Sequence, residues 1–164
     1  MGLFSRLFGS GNDTDSGSKD VSESEPDIVI DSPLDKEFIQ GEFRGERVTF
    51  TSVSSPNGEW QCLYGRTGMN DCAPIVLVRG DGEVQHAFAV TRAENVAVAN
   101  TGHVVVTDIG EADNQDLAGT LHVVAPDGQP SVEHEFDANI WECSITEDGQ
   151  YASTATHNPD RSVY

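Results

Sequence analysis

The chain is 164 residues long and carries 28 Asp and Glu against 9 Lys and Arg, a formal charge of −19. That balance excludes nucleic-acid recognition through a basic footprint, because such a surface repels phosphate and releases no condensed counterions. No run approaches the ~18 apolar residues of a membrane-spanning helix. A 37% share of hydrophobic residues is enough for one domain with a core, beside a part that does not fold.

In chain order, MGLFSRLF comes first. Leu3, Phe4, Leu7 and Phe8 fall on one side of a helical turn. Two readings stand there: a short amphipathic contact with a membrane or partner groove, and a frayed terminus, since two turns are marginal alone and acids follow. Residues 9–27, GSGNDTDSGSKDVSESEPD, hold almost no apolar side chain and cannot offset their ordering entropy. The disordered acidic linker is drawn over 9–46.

From Arg47 the pattern changes to short alternating strands bounded by turn residues. RVTFTSV sets Val48 and Phe50 against Thr49 and Thr51; SPNG turns the chain into EWQCLYG; IVLV, the turn RGDG and EVQHAFAV follow. No helical period interrupts them, so the expected fold class is all-β and antiparallel. The segments also recur. Asp81-Gly82 is matched by Asp127-Gly128, 46 residues on, and each is followed by a similar phrase, Val84-Gln85-His86-Ala87-Phe88 and Val132-Glu133-His134-Glu135-Phe136. A second turn class appears as Asn57-Gly58, Thr101-Gly102 and Asp148-Gly149. A period near 45 with four strands per unit is the signature of propeller blades. The parse runs 48–90, 93–137 and a partial unit 138–164.

TEDGQYAST and SPNGEWQCL resemble the S-P-D-G-x-x-hydrophobic turn of β-propellers of the PQQ-like and TolB/YVTN (WD40-like) type, and VLVRGDGEVQHAF resembles their outer hairpin. The resemblance spans 48–164 and implies architecture rather than cofactor: the adjacent Cys-Cys pair of the quinoprotein branch has no counterpart here. Closed rings take about 4 to 8 blades. Two and a half leave two raw apolar faces, to be closed by blades beyond Tyr164 or by further copies of the chain.

Cys62, Cys72 and Cys143 have neither CxxC nor zinc spacing, and an odd count fits a reducing cytoplasm. They read as small buried apolar residues. Lysine is scarce, Lys19 and Lys36 against seven arginines, a composition that resembles extreme halophiles, whose cytoplasm is molar in salt. His86 and His134 share strand faces with Val84 and Phe88, and with Val132 and Phe136, and are expected to face the core between blades; His103 and His122 read the same way. Asp108, Glu111, Asp113, Asn114 and Asp116 form an acidic loop whose hard oxygens suit Ca²⁺ or Mg²⁺, but the spacing is not that of a calcium loop, and a solvated loop is the plainer reading. The metal candidates are therefore Asp108, Asp113 and Asp116, with no cofactor expected. Loop residues Asn70, Asp71, Asp113 and His157 are the candidates for partner contact. The expected function is a non-enzymatic propeller scaffold that binds a protein partner in the cytoplasm. The alternative is the first part of a propeller hydrolase or oxidoreductase whose catalytic residues lie beyond Tyr164.

Overall fold

The computed structural model describes residues 27–68, 72–110 and 118–156. The amphipathic segment with Leu3, Phe4, Leu7 and Phe8 lies outside them. Every strand described is paired antiparallel, and no helix occurs among the described residues. Six strands make the first sheet in sequential order: β1 (Ile28–Ile30), β2 (Ile39–Phe43), β3 (Glu46–Ser54), β4 (Trp60–Arg66), β5 (Ala73–Arg79) and β6 (Val84–Val90). The second holds β7 (Ala93–Val98), β8 (Val104–Asp108), β9 (Gly119–Val124) and β10 (Pro130–Phe136), and the third pairs β11 (Ile140–Ile145) with β12 (Ala152–Thr156).

Side-chain alternation explains which faces stack. In β3, Val48 and Phe50 are buried while Arg47, Thr49 and Thr51 stay at the surface or beside it. β5 and β8 are covered on both faces, which is why they read as unbroken apolar runs, PIVLV and VVV. Ile75 and Leu77 of β5 meet Val96 and Val98 of β7 and Val104 and Val106 of β8 in one core between the first and second sheets. Val105 points the other way. It joins Leu121, Val123, Phe136 and Ile140 in a second core between the second and third sheets.

A third cluster lies on the far face of the first sheet. Val48, Phe50, Leu63, Val76 and Val78 are covered there by Ile39 and Phe43 of β2, with Ile28 and Ile30 of β1 and Leu34 packed alongside. The sheet curls to achieve this. Here the structure corrects the linker drawn over 9–46: residues 28–30 and 39–43 are strands, registered Val29 to Glu42 and Gly41 to Val48. The reason is non-local. Ile39 and Phe43 are almost fully buried against strands up to some forty residues away, and each such side chain contributes about 2 kcal/mol. It follows that one end of the stack is covered, not raw. The β2–β3 hairpin closes through Arg44 and Gly45, with φ of 53° and 78°, the left-handed pair that a two-residue turn requires.

Two bulges repeat at the same place in successive sheets. β7 shifts register between Ala93 and Asn95, and β11 shifts between Ile140 and Glu142. In each case a buried threonine of the neighbouring strand serves the irregular backbone. Asn95 N–H donates to Thr107 Oγ1 at 2.9 Å, and Thr154 Oγ1 donates to the Glu142 carbonyl at 2.8 Å.

Candidate functional site

The alternating hairpins sort the connections by end. The tight glycine turns at 55–59, 80–83, 99–103, 125–129 and 146–151 lie at one end of the strands. The 31–38 connection joins them there, beside Gly82, whereas the connections 67–72 and 109–118, the Arg44-Gly45 turn and the inter-sheet links leave from the other end. A cleft of about 580 Å³ runs between β6 and the outer strands of the second sheet, from Arg44 and Cys72 at that second end to Gly128 and Pro130 by the 125–129 turn. Arg44, Cys72, Phe88, Asp108, His122 and Glu133 line it.

Asp108 organises this region. It ends β8, and its carboxylate accepts hydrogen bonds from the backbone N–H groups of Thr91 at 2.9 Å, Arg92 at 2.8 Å and Gly110 at 3.0 Å. Thr91 and Arg92 are the link between the first and second sheets, so one side chain ties the joint to the start of the 109–118 loop. Burial alone would raise its pKa, but His122 and the three N–H donors outweigh burial and hold it down at about 2. Both of its oxygens are engaged by backbone N–H groups. Asp113 and Asp116 lie outside the described residues. No group of three or more His, Cys, Asp or Glu side chains among the described residues is placed to hold a metal ion.

His122 sits between two carboxylates, with Nε2 3.8 Å from Asp108 Oδ2 and Nδ1 3.8 Å from Glu133 Oε2. Both contacts exceed hydrogen-bond length, and the buried Nε2 makes no hydrogen bond. Sequence reasoning missed this grouping. Asp108 and His122 are fourteen residues apart on neighbouring strands, and only the β8–β9 and β9–β10 registers bring the three together.

The remaining candidates divide. Asn70, Asp71 and His157 lie outside the described residues. His86 does pack between sheets, on the face of Leu77 and Phe88, but a bulge at Gln85 turns Val84 to the opposite face. His134 departs from expectation: it shares its face with Phe136, ring centroids 4.6 Å apart, yet is exposed. The cysteines are all free. Cys62 is fully buried, and burial, helped by the nearby Cys143, raises its thiol pKa strongly; burial pushes Cys143 up to about 12. Cys72, at the cleft, and Cys143 are only half-buried, unlike the uniformly buried thiols expected.

The glycine-turn end carries a repeated contact. A β-carbon on Gly102 would lie 2.8 Å from two ring carbons of Trp60, which closes the preceding sheet's turn. One on Gly149 would lie 2.6 Å from Thr101 Oγ1 and 3.1 Å from His103 Nδ1 in the turn before it. Gly128 presses on the His86 ring in the same manner. Hydrogen bonds follow this ladder, from Asn57 N–H to Asn100 Oδ1 at 2.8 Å and from Asn100 N–H to the Glu147 carbonyl at 2.9 Å. Each sheet thus seats the glycine turns of the next on an aromatic ring.

Comparison with known proteins found no family model, no curated protein and no solved structure that matches the chain. Among the described residues no helix is long and apolar enough to cross a membrane.

Proposed function

We propose that the chain is a non-enzymatic scaffold of β-propeller type that engages a protein partner through its loop end, in a salt-rich cytoplasm. The observation that supports this is the sorting of the connections. Glycine turns lock the stack at one end, while the 67–72 and 109–118 connections leave together from the other, the arrangement of a rigid frame that presents loops. Asn70, Asp71 and Asp113 belong to those two connections and are the proposed contacts. The antiparallel units β3–β6 and β7–β10, stacked face to face, are what blades of a propeller would supply. The test is co-purification in molar KCl of a distinct polypeptide at fixed stoichiometry. Wild type should retain it and a triple Asn70→Lys, Asp71→Lys, Asp113→Lys variant should lose it; equal recovery by both refutes the loop assignment.

One observation favours an enzymatic reading. His122 lies in a cleft beside a carboxylate whose own backbone bonds fix its position, the relation of an orienting acid to a general base. Hydrolysis of ester, peptide or glycoside probes that disappears in His122→Gln, with the fold intact, would establish it.

A further inference from the structure

We propose that the chain self-associates head to tail, the exposed face of β10–β12 seating the glycine turns at the front of a second copy. The proposal uses a different surface from the loop end and stands apart from the scaffold reading. The ring-and-glycine contacts have a direction, since each ring accepts a turn from the following sheet. Among the described residues, two rings at the back of the stack hold no turn. Tyr151 occupies the position that Trp60 and His103 occupy in earlier turns, closing the Thr146 turn as Trp60 closes the Ser55 turn, and it is 75% exposed. His134 is the counterpart of His86 and is exposed where His86 is covered by Gly128. At the front, two turns cover no ring among the described residues. A β-carbon on Gly58 would meet nothing within 4 Å, and one on Gly82 only Leu34 Cδ1 at 3.9 Å; both glycines are exposed.

Apolar exposure and charge show the same polarity. The exposed large hydrophobic residues are Val29 and Phe38 at the front and Val132, Trp141 and Tyr151 at the back. Among the described residues every Lys and Arg lies at or before Arg92, and the back carries acids such as Glu133, Glu135 and Glu142 with no basic side chain. Two backs would oppose acid to acid and ring to ring, whereas a front brings its open glycine turns to the rings. β1 and β2 cover the front sheet's core but leave the Gly58 turn clear. A contact of this kind is heterologous and closes into a ring or continues as a filament according to its rotation.

The experiment is light scattering of the full chain in molar KCl across concentration. Wild type should rise above the single-chain 17.6 kDa by about 0.1 mM, the range of a modest interface. The paired back variant Tyr151→Ser, His134→Ser and the front variant Gly58→Asn should each weaken association at least about tenfold. Asn tolerates the positive φ of 72° at Gly58, so the front variant keeps its fold, to be confirmed by circular dichroism; Gly82→Asn tests the second front turn independently. An equimolar mixture of front and back variants should form 1:1 pairs and nothing larger. A monomer throughout overturns the proposal, as does association that neither variant weakens. Association lost with the back variant but kept by both front variants would mean back-to-back pairing and equally overturns it.

Discussion

Asp108 offers the sharpest test of how the sheets are joined. Its pKa is lowered from 3.8 to about 2, and a shift of that size corresponds to about 2 kcal/mol of stability, reduced to 1–2 by solvent screening at the cleft mouth. The sign follows from the depressed folded-state value: the contribution is complete above pH ~4 and is lost as pH falls from there toward ~2. Asp108→Asn keeps an oxygen for the backbone donors but loses the charge, and should cost about 1–2 kcal/mol at pH 5. Asp108→Ala leaves the N–H groups of Thr91, Arg92 and Gly110 without their acceptor and should cost about 3 kcal/mol. Urea unfolding in molar KCl, followed by circular dichroism at pH 5, 4 and 3, measures both. The gap between wild type and Asp108→Asn should narrow steadily with acidification. A gap constant from pH 5 to 3, or an alanine variant within ~0.5 kcal/mol of wild type, would refute the backbone role. Millimolar Ca²⁺ separates the two readings of this residue: a ligand role raises wild-type stability and not that of Asp108→Asn, whereas the backbone role leaves both unchanged.

Removing residues 1–45 should expose Val48, Phe50, Leu63, Val76 and Val78, seen as dye binding and aggregation that the intact chain does not show. In the native state Ellman's reagent should label Cys72 quickly and the fully buried Cys62 only on unfolding, with the half-buried Cys143 slower than Cys72 because its thiol is held protonated. Gly128→Ala should destabilise by about 1–3 kcal/mol through its contact with His86 and its φ of 83°; His86→Ala in the same chain should recover the steric part but not the backbone part, a non-additivity readable in a double-mutant cycle. Self-repulsion at a charge of −19 should loosen the fold on desalting and be relieved in molar KCl, where the Debye length falls to about 3 Å; a far-ultraviolet spectrum indifferent to salt would refute it.

What could be read in the sequence was whatever repeats locally. Alternation in RVTFTSV, the double-sided run PIVLV and the glycine turns were enough to place the strands after Arg47, because a strand's face and a tight turn's φ are decided within a few residues. Residues 28–46 defeat the same logic. IVI and FIQGEF are brief apolar islands among acids, and the hairpin between β2 and β3 turns on Arg-Gly rather than Asn-Gly. They become strands only because Phe50, Val76 and Val78, far along the chain, leave a face that Ile39 and Phe43 can cover. The role of Asp108 was hidden for a related reason: the donors that engage its carboxylate come from the link at Thr91 and Arg92, which only the register brings near.

The two histidines of the repeated phrase carry the argument furthest. His86 and His134 share a local sequence, a strand position and an aromatic neighbour two residues on, so nothing local distinguishes them. Yet one is covered and the other exposed, because a glycine turn from the following sheet lies on His86 and, among the described residues, none lies on His134. In a stack of repeated units burial is a property of the neighbour as much as of the residue. The same holds for Trp60 and Tyr151, which close matching turns under opposite degrees of cover. A repeat therefore encodes its own surface twice, as the seat it offers and as the turn it inserts. An exposed seat at one end and an open turn at the other are the two halves of the contact that successive sheets make inside the stack.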